Sequence, residues 1–360
     1  MVYSASQSFT FLPSGRLSDR LGRRPLIISG SFLLALSALS LSLSSRIETT
    51  ILALVGEGIG LGLLVPSGNA LISDVVLGRG SGLAFAVYQV ATLASAAVGS
   101  FAAGALAETA GFQAMFALSA ILFGATAVFG YATVPRIHTR SSSGYGSAVA
   151  HSLRSSITGT ASILRSNREL ALLTGALVVH SLGFSMMNPF IPLFAEEGIR
   201  LDIAQVGILV GVWNVGLTIA QIPAGHLTDR FGARPLLLIH FVLSSFSWAL
   251  YALSSNYEIG MLTMLFMGIV GALDMPARRS IMIEYATPEA GKATIIGSID
   301  AITGAAGITG PVVGGLAWSY FGYVVPFQVA ALVNAFACIP LVAIMRRRKA
   351  GISASTSETA

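Results

Sequence analysis

Ten long blocks of mostly apolar residues run along this chain, and they constrain its fold more than any other feature. Each block is close to the roughly 20 residues that an α-helix needs to cross the hydrocarbon core of a bilayer. Membrane-spanning strands would be shorter and would alternate apolar with polar residues, so the blocks predict helices. The ten predicted full spans are Leu26–Ser45, Ile51–Ser73, Ala84–Leu106, Phe112–Val134, Leu170–Phe194, Val206–Ala224, Pro235–Leu253, Ile259–Ile283, Ile295–Trp318 and Val324–Met345.

The amino-acid composition points the same way. Of the 360 residues, 54% are hydrophobic and only 10% are charged, and the mean hydropathy is +0.77. Soluble globular proteins carry about a quarter charged residues, so the chain is predicted to be an all-α polytopic membrane protein. Its single cysteine, Cys338, lies in the last block and excludes a disulfide framework and a cysteine-based metal site. We expect no metal and no cofactor.

The positions of the basic residues predict the orientation of the chain. If the loop at residues 15–25 is cytoplasmic, 19 of the 21 lysines and arginines fall in cytoplasmic loops and the tail, and only Arg46 and Arg200 lie outside. This bias predicts a multi-pass protein of the cell membrane with a cytoplasmic C-terminus, where Arg346–Lys349 lies. The isoelectric point near 9.6 therefore indicates orientation and contact with anionic membrane lipids, and not nucleic-acid binding.

An internal repeat divides the chain into two halves. The loop GRLSDRLGRRP at residues 15–25 returns as GHLTDRFGARP at residues 225–235, with seven of eleven positions identical. The same offset, with one residue inserted before the last pair, also matches Pro13 with Pro223, Pro66 with Pro276, Asp74 with Glu284, Gly104 with Gly314 and Gly111 with Gly322. Many transporters consist of two such copies of one design.

The repeat also predicts the domains and a missing beginning. The second half has two spans up to its loop, whereas the first half has only the apolar stub Met1–Leu12, so roughly 40 residues expected from the repeat are absent. We predict that the first span and part of the second are missing. The predicted domains are an incomplete N-terminal bundle at 1–134 with spans 2–6, a cytoplasmic connector at 135–168, a C-terminal bundle at 169–345 with spans 7–12, and a cytoplasmic tail at 346–360.

The two loop motifs resemble those of the major facilitator superfamily, and the resemblance covers the whole chain. The sequence TGPVVGG at residues 309–315 is similar to the glycine-proline motif that members carry in this region. The resemblance implies two six-helix bundles, of which this sequence would hold ten full transmembrane helices and a partial one. It also implies transport by alternating access around a site near the middle of the membrane.

The resemblance further implies a cytoplasmic gate at the repeated loop. In that family the motif aspartate, here Asp19, meets the N-terminal end of a helix in the opposite half, and the motif arginines pair with an acid ending the fourth span. Asp74 is placed to be that acid, and Glu284 is its copy. The predicted gate residues are Gly15, Asp19, Arg20, Arg24, Asp74, Gly225, Asp229, Arg230, Arg234 and Glu284. The alternative is a basic loop that only orients the protein.

Ionisable residues inside the predicted spans are the candidates for a substrate or proton path, because such groups are costly in a membrane. Glu57 lies in the middle of the fourth span, where the repeat has Met267 in the second half. It is predicted to bind a proton or cation, or alternatively to stay protonated against a neighbouring helix. His180, near the centre of the seventh span, is predicted to take up a proton or bond a substrate, or alternatively to donate to a backbone carbonyl. His240, nearer a span end, has less claim.

Two aspartates and two asparagines complete the predicted path. Asp274 and Arg278 share a helix face at i, i+4, so they form either a gate or a pair that only neutralises itself. Asp300 has no charged neighbour in sequence and needs a partner from another helix or a proton. Asn188 and Asn214 are predicted substrate contacts, with bonding between helices as the alternative.

No catalytic motif occurs in the sequence, so we predict that the chain is not an enzyme and has no catalytic residue. The predicted function is secondary active transport, namely proton-coupled export of small organic compounds by a monomer, with H⁺ as the coupling ion. One alternative is an uptake symporter for a sugar or organic acid. Another is a membrane sensor that does not transport, or the product of a decayed gene.

Overall fold

The computed structural model of the chain describes residues 2–75, 81–135, 164–165, 167–285 and 292–358. Within the helices it leaves out the side chains of residues 12, 15, 16, 19, 20, 73–75, 81–86, 292–294, 296–298 and 347–358. All regular structure in the described ranges is helical. The predicted connector lies almost wholly outside these ranges, at residues 136–163, and the predicted domain boundaries stay predictions.

Twelve α-helices can be numbered within the described residues. They are α1 Val2–Leu21, α2 Arg23–Leu43, α3 Ile47–Val75, α4 Ser81–Thr133, α5 Arg168–Met187, α6 Ile191–Leu193, α7 Ile203–Phe231, α8 Ala233–Tyr251, α9 Tyr257–Gly271, α10 Asp274–Glu284, α11 Lys292–Phe321 and α12 Val325–Glu358.

Nine helical stretches of the described chain are long and apolar enough to cross a membrane. One of them, Val87–Thr133, has 47 residues and spans two of the predicted blocks. At 1.5 Å per residue it would measure about 70 Å, more than twice the hydrocarbon thickness of a bilayer. Its helical geometry is interrupted at Gly111, whose φ of 83° and ψ of 163° lie outside the helical region. The structure therefore supports a multi-pass α-helical membrane protein, while the count of ten spans stays a prediction.

The backbone repeats the duplication seen in the sequence. Gly22 and Gly232, which are equivalent in the two loop motifs, have φ angles of 87° and 85°. Gly111 and Gly322, a second pair matched by the repeat, have φ angles of 83° and 92°. Only glycine adopts such positive φ values without strain, so the second glycine of each loop motif is required by the turn between two helices.

Helix crossings repeat at the same offset. A Cβ atom on Gly58 of α3 would meet the backbone of α1 at Tyr3 and Gln7. A Cβ atom on Gly268 of α9 would meet the backbone of α7 at Trp213 and Leu217, and these three positions are the repeat equivalents of the first three. The close approach of α1 to α3 is therefore repeated in that of α7 to α9, and both depend on a glycine.

The chain divides into two compact units, Met1–Thr92 with Phe101–Ser155, and Leu93–Ser100 with Ser156–Ala360. In the first unit, α3 packs against both α1 and α2. Its buried apolar side chains include Leu26, Ile27 and Leu34 of α2. The many exposed apolar side chains, such as Leu52, are those expected of helices whose outer face contacts lipid.

In the second unit, α5 packs against α11 and α12, α7 packs against α9, and α8 packs against α9, α10 and α12. Two apolar clusters fill the space between these helices. One contains Leu177, Phe241 and Ile281, and the other contains Met186, Trp248 and Met267. The part of α5 between Leu177 and Met186 runs from one cluster to the other and carries His180.

Several helix ends in the second unit have side-chain caps that satisfy free backbone N–H groups. Asn167 accepts from the Leu170 N–H at 3.0 Å before α5, and Asp202 forms a reciprocal capping box with Gln205 before α7. At the other end of α5 the regular helix stops at Met187. A 3₁₀ turn, the short α6 and a π-helical turn at Phe194–Gly198 follow, and they contain both Pro189 and Pro192.

Candidate functional site

Glu57 lies in the middle of α3, and its side chain is half-buried. No hydrogen bond or ion pair joins its carboxyl group to any residue in the described part of the chain. Tyr3 of α1 is near enough to interact electrostatically with this carboxyl group, but within the described ranges no cation balances it. A carboxyl group held in this way is costly when charged.

The predicted gate is only partly covered by the described residues of the first unit. The side chains of Gly15, Asp19, Arg20 and Asp74 lie outside them. Arg24 donates a hydrogen bond from Nη2 to the Tyr131 carbonyl oxygen, and its guanidinium lies 4.7 Å from the centre of the Tyr131 ring. This arginine therefore ties the start of α2 to the end of α4.

In the second unit the corresponding arginine binds a carboxylate. Nη1 and Nη2 of Arg234 lie 3.2 and 2.7 Å from the two carboxylate oxygens of Glu284, a bidentate arrangement that fixes both side chains. Glu284 is the last residue of α10, and Arg234 is the second residue of α8. The adjacent Tyr285 donates to Glu169 at 3.0 Å, and burial raises the pKa of its phenol above the ordinary value.

The remaining predicted gate residues of the second unit are more exposed. Asp229 and Arg230 face outward at the end of α7, and the Arg230 guanidinium lies 5.4 Å from the centre of the Phe231 ring. A Cβ atom on Gly225 would meet no atom within 4 Å in the described part of the chain. No close helix approach is therefore seen at Gly225 within the described residues, and its part in the gate stays a prediction.

A buried polar cluster lies inside the second unit, around His180. The Nδ1 of His180 is 2.7 Å from Asn334 Oδ1, and its Nε2 is 3.5 Å from the Nε2 of His240. The Nδ1 of His240 in turn is 2.9 Å from the Val270 carbonyl oxygen. The cluster joins α5, α8, α9 and α12, and both imidazoles are almost fully buried.

Both predicted aspartates of the path contact arginines. Asp274 Oδ2 lies 2.9 Å from Arg278 Nη2 on the same helix. Asp300 Oδ2 of α11 lies 2.8 Å from Arg279 Nη1 of α10, so its partner comes from another helix. Each aspartate is thereby balanced by one positive charge. A carboxylate oxygen of Asp274 also lies within 4.8 Å of ring nitrogens of His180 and His240.

The two predicted asparagines have local roles in the described structure. Asn214 donates from Nδ2 to the Val210 carbonyl oxygen of its own helix at 2.9 Å. Asn188 begins the 3₁₀ turn that follows α5, and its backbone carbonyl accepts from the Ile191 N–H. Neither amide joins the cluster around His180.

The sequence does not predict that two residues, His240 and Asn334, belong to this cluster. The place of His240 near a span end predicts a peripheral side chain, yet this residue is 3% exposed and directly faces His180. Asn334 belongs to no sequence motif, and the one signal it gives is that a lone amide within an apolar span usually bonds to another helix. It is fully buried, and its Nδ2 donates to the Phe241 carbonyl oxygen at 2.9 Å and to Ser245 Oγ at 3.0 Å.

Solved structures share this fold. A transporter of the POT family, solved in complex with a thioalcohol-conjugated peptide, aligns with a TM-score of 0.78 over 96% of this chain and 86% of its own. A second structure of a POT family transporter, with 5-aminolevulinic acid, aligns with a TM-score of 0.77 over 96% and 85%. The sequence identities are only 13% and 14%, so these structures show a common fold and nothing about the ligand.

Sequence comparisons extend the likeness to curated bacterial proteins. The chain is 26% identical over 341 residues to the multidrug resistance protein MdtG of Proteus mirabilis (strain HI4320), covering 91% of this chain and 82% of that protein. It is 31% identical over 173 residues to the class B tetracycline resistance protein of Escherichia coli, covering 48% and 42%. The family model of the Major Facilitator Superfamily matches residues 1–197 and again residues 173–360. The chain therefore belongs to the Major Facilitator Superfamily of membrane transporters.

Proposed function

We propose that this transporter exports small organic compounds of the drug type, works by alternating access, and is driven by exchange for protons. The support for export comes from relatives named for multidrug, tetracycline and quinolone resistance. The similarity to the multidrug resistance protein extends over almost the whole chain.

The observation that carries the coupling proposal is the unbalanced carboxyl group of Glu57. Asp274 and Asp300 are each balanced by an arginine at less than 3 Å, whereas Glu57 contacts no cation in the described ranges. A carboxyl group in an apolar span is neutral when it carries a proton and costly when it does not. Exchange of that proton for a cationic compound would couple the two movements, because either occupant neutralises the carboxylate.

The ion pair between Arg234 and Glu284 is the proposed second-half element of the cytoplasmic gate. It has the bidentate geometry of a strong charge-assisted contact, and it joins the start of α8 to the end of α10. A transporter that alternates between two states needs contacts that form in one state and break in the other. Gly15, Asp19, Arg20 and Asp74 are proposed as its counterparts in the first half, together with Arg24.

The test uses the full chain in proteoliposomes, with tetracycline, a quinolone and a fluorescent cationic dye as probes. With an imposed pH gradient, we expect uphill movement of at least one probe towards the acidic side, and loss of that movement when a protonophore is added. Glu57→Gln should lower gradient-driven transport at least tenfold but leave downhill exchange of the probe in place, because only the proton site is removed.

Glu196→Gln is the matched control, since Glu196 is an exposed carboxyl group in the turn after α6. It should transport like the unaltered protein. Uphill movement away from the acidic side would show an uptake symporter and overturn the export proposal. Gradient-driven transport by Glu57→Gln at the original rate would overturn the role of Glu57, whatever the direction of transport.

A further inference from the structure

We propose that His180, His240 and Asp274 form a binding site for a first-row transition-metal dication of the Zn²⁺ type. The inference differs from the sequence-based expectation of no metal, and it does not depend on drug export. The hydrogen bonds around the two imidazoles determine which ring nitrogens carry a hydrogen.

The Nδ1 atom of His180 carries a hydrogen. Asn334 donates from Nδ2 to two acceptors, the Phe241 carbonyl oxygen and Ser245 Oγ, so the orientation of its amide is fixed. Its Oδ1 therefore faces His180 as an acceptor at 2.7 Å, and the Nδ1 of His180 must be the donor. In the neutral imidazole the Nε2 atom then has a free lone pair.

The hydrogen bonds of His240 fix the position of its ring hydrogen in the same way. Its Nδ1 lies 2.9 Å from the Val270 carbonyl oxygen, which can only accept, so this Nδ1 also carries the hydrogen. Ser244 Oγ, 3.3 Å away, lies beside the same ring nitrogen. The Nε2 of His240 consequently has a free lone pair as well. It points at the Nε2 of His180 over 3.5 Å, with no hydrogen between the two neutral rings.

Two lone pairs that face each other repel, and a shared cation removes the repulsion. With metal–nitrogen bonds of about 2.05 Å, a separation of 3.5 Å corresponds to an angle of about 117° at the metal, close to tetrahedral. The two rings are inclined at 68°, so both lone pairs can reach one point without overlap of the rings. Metal-binding histidines usually donate their second ring N–H to a carbonyl or carboxylate oxygen, and both histidines here donate theirs to a carbonyl-type oxygen.

Asp274 supplies the third ligand. Its Oδ2 is held by Arg278, whereas its Oδ1 is buried without a hydrogen-bond partner among the described residues. The ligand atoms of the three residues lie within 4.8 Å of one another, so the carboxylate has to shift by about 1.5 Å to complete a tetrahedral set. The Asp274 side chain as a whole is 18% exposed.

The chemistry of the ligands selects the ion. Two imidazoles and one carboxylate suit Zn²⁺, Co²⁺, Ni²⁺ and Cu²⁺, whereas Mg²⁺ and Ca²⁺ prefer sites made of oxygen atoms. Three protein ligands leave a fourth position for water or for an atom of a bound compound. Asp274 and Arg278 neutralise each other, and so do Asp300 and Arg279. The net charge of the site when the metal is bound is therefore the charge of the metal ion.

The first experiment titrates Zn²⁺ into the full chain, purified in nanodiscs with an affinity tag free of histidine. We expect one Zn²⁺ per chain, no competition from millimolar Mg²⁺ or Ca²⁺, and loss of this binding in His180→Gln, His240→Gln and Asp274→Asn. His226→Gln is the matched control, because His226 is an exposed histidine of α7 and should retain full binding. Binding that survives both His180→Gln and His240→Gln, or its absence in the unaltered chain, would overturn the proposal.

A second measurement needs no variant and so does not depend on the folding of one. X-ray absorption of the Zn²⁺-loaded, unaltered chain should show two imidazole ligands and oxygen donors at about 2.0–2.2 Å. Fewer than two imidazoles would overturn the site. Asn334→Leu removes the acceptor for the His180 N–H and should weaken Zn²⁺ affinity by about 10- to 100-fold, while Asn334→Asp keeps an acceptor and should retain it. Zinc binding and drug flux are measured separately, so failure of one leaves the other standing.

Discussion

The same helix crossing is built in opposite ways in the two halves of the chain. In the first half, Gly30 of α2 lies so near α3 that a Cβ atom on it would be 2.8 Å from the Gly60 carbonyl oxygen. The repeat equivalent of Gly30 is His240, whose imidazole lies 2.9 Å from the carbonyl oxygen of Val270, the equivalent of Gly60. In the first half the backbones of the two helices are in direct contact at this crossing. In the second half the same position carries a polar side chain, His240, that bonds to the backbone of the other helix.

The charged groups inside the spans differ in the same manner. Glu57 of the first half corresponds to Met267, which is 4% exposed in an apolar cluster of the second half. Asp274 of the second half corresponds to Leu64. The two copies therefore share their glycine turns and glycine crossings. They differ in their ionisable groups, because each copy has an acid inside the membrane at a position where the other copy has an apolar residue.

The largest effect should come from moving the carboxyl group between the halves. Met267→Glu places an ionisable group among fully packed apolar side chains, and it should destabilise the chain by about 3 kcal/mol, the typical cost in a helix centre. The reciprocal Glu57→Met should fold normally but lose gradient-driven transport. Thermal unfolding in detergent, followed by tryptophan fluorescence, measures the first, and the proteoliposome assay measures the second. Equal stability of Met267→Glu and the unaltered chain would remove the contrast between the halves.

The glycine crossing gives the next largest effect. Gly30→Leu forces its side chain against the Gly60 carbonyl oxygen and the Leu64 N–H, both backbone atoms that cannot move aside, and should cost about 2 kcal/mol by overpacking. The control is Gly124→Leu, because a Cβ atom there would meet none of the described atoms within 4 Å, so that only the change in helix propensity remains. If both variants unfold at the same temperature, the two helices are not held at the distance seen here.

A smaller effect is expected from the amide that supports the histidine pair. Asn334→Leu leaves the buried N–H of His180 without its acceptor and should destabilise the chain by about 1–2 kcal/mol. Asn214→Leu is the matched control, because among the described residues the Asn214 amide bonds to the Val210 carbonyl oxygen of its own helix and to no other helix. The comparison uses the same unfolding assay without added metal. A loss as large for Asn214→Leu would mean that any polar group within a span has this effect.

Sequence patterns predicted the membrane helices and the repeat because both follow from local composition and spacing. Blocks near 20 apolar residues give spans, and positive-φ glycines such as Gly22 and Gly232 belong to a motif that can be read directly. The contact between Arg234 and Glu284 also lies where the repeat places an arginine and an acid, although its role as a gate stays a proposal. The side chain of Asp74 lies outside the described residues, so the first-half pair stays a prediction.

The polar cluster could not be predicted, because its members come from four helices that are far apart in sequence. His180 and Asn334 are separated by 154 residues, and His180 and His240 by 60. No periodicity links such residues, and the uncharged Asn334 gives only a weak signal in an apolar span. The ion pair of Asp300 with Arg279 could not be predicted either, because Arg279 lies on α10 and Asp300 on α11. Long-range pairing of this kind depends on the packing of the helices and not on the sequence of any one of them.

The smallest expected effect concerns the arginines at the two equivalent helix starts. Arg234 binds the partly exposed Glu284, so Arg234→Gln should cost less than about 1 kcal/mol, and the loss should shrink as salt is raised from about 0.05 to about 0.5 M. Arg24→Gln removes a contact with the Tyr131 carbonyl oxygen and ring, which salt screens less. Unfolding temperatures of both variants across this salt range measure the difference. An Arg24 variant with the same salt dependence as the Arg234 variant would show that this arginine also holds an acid, as the repeat predicts for Asp74.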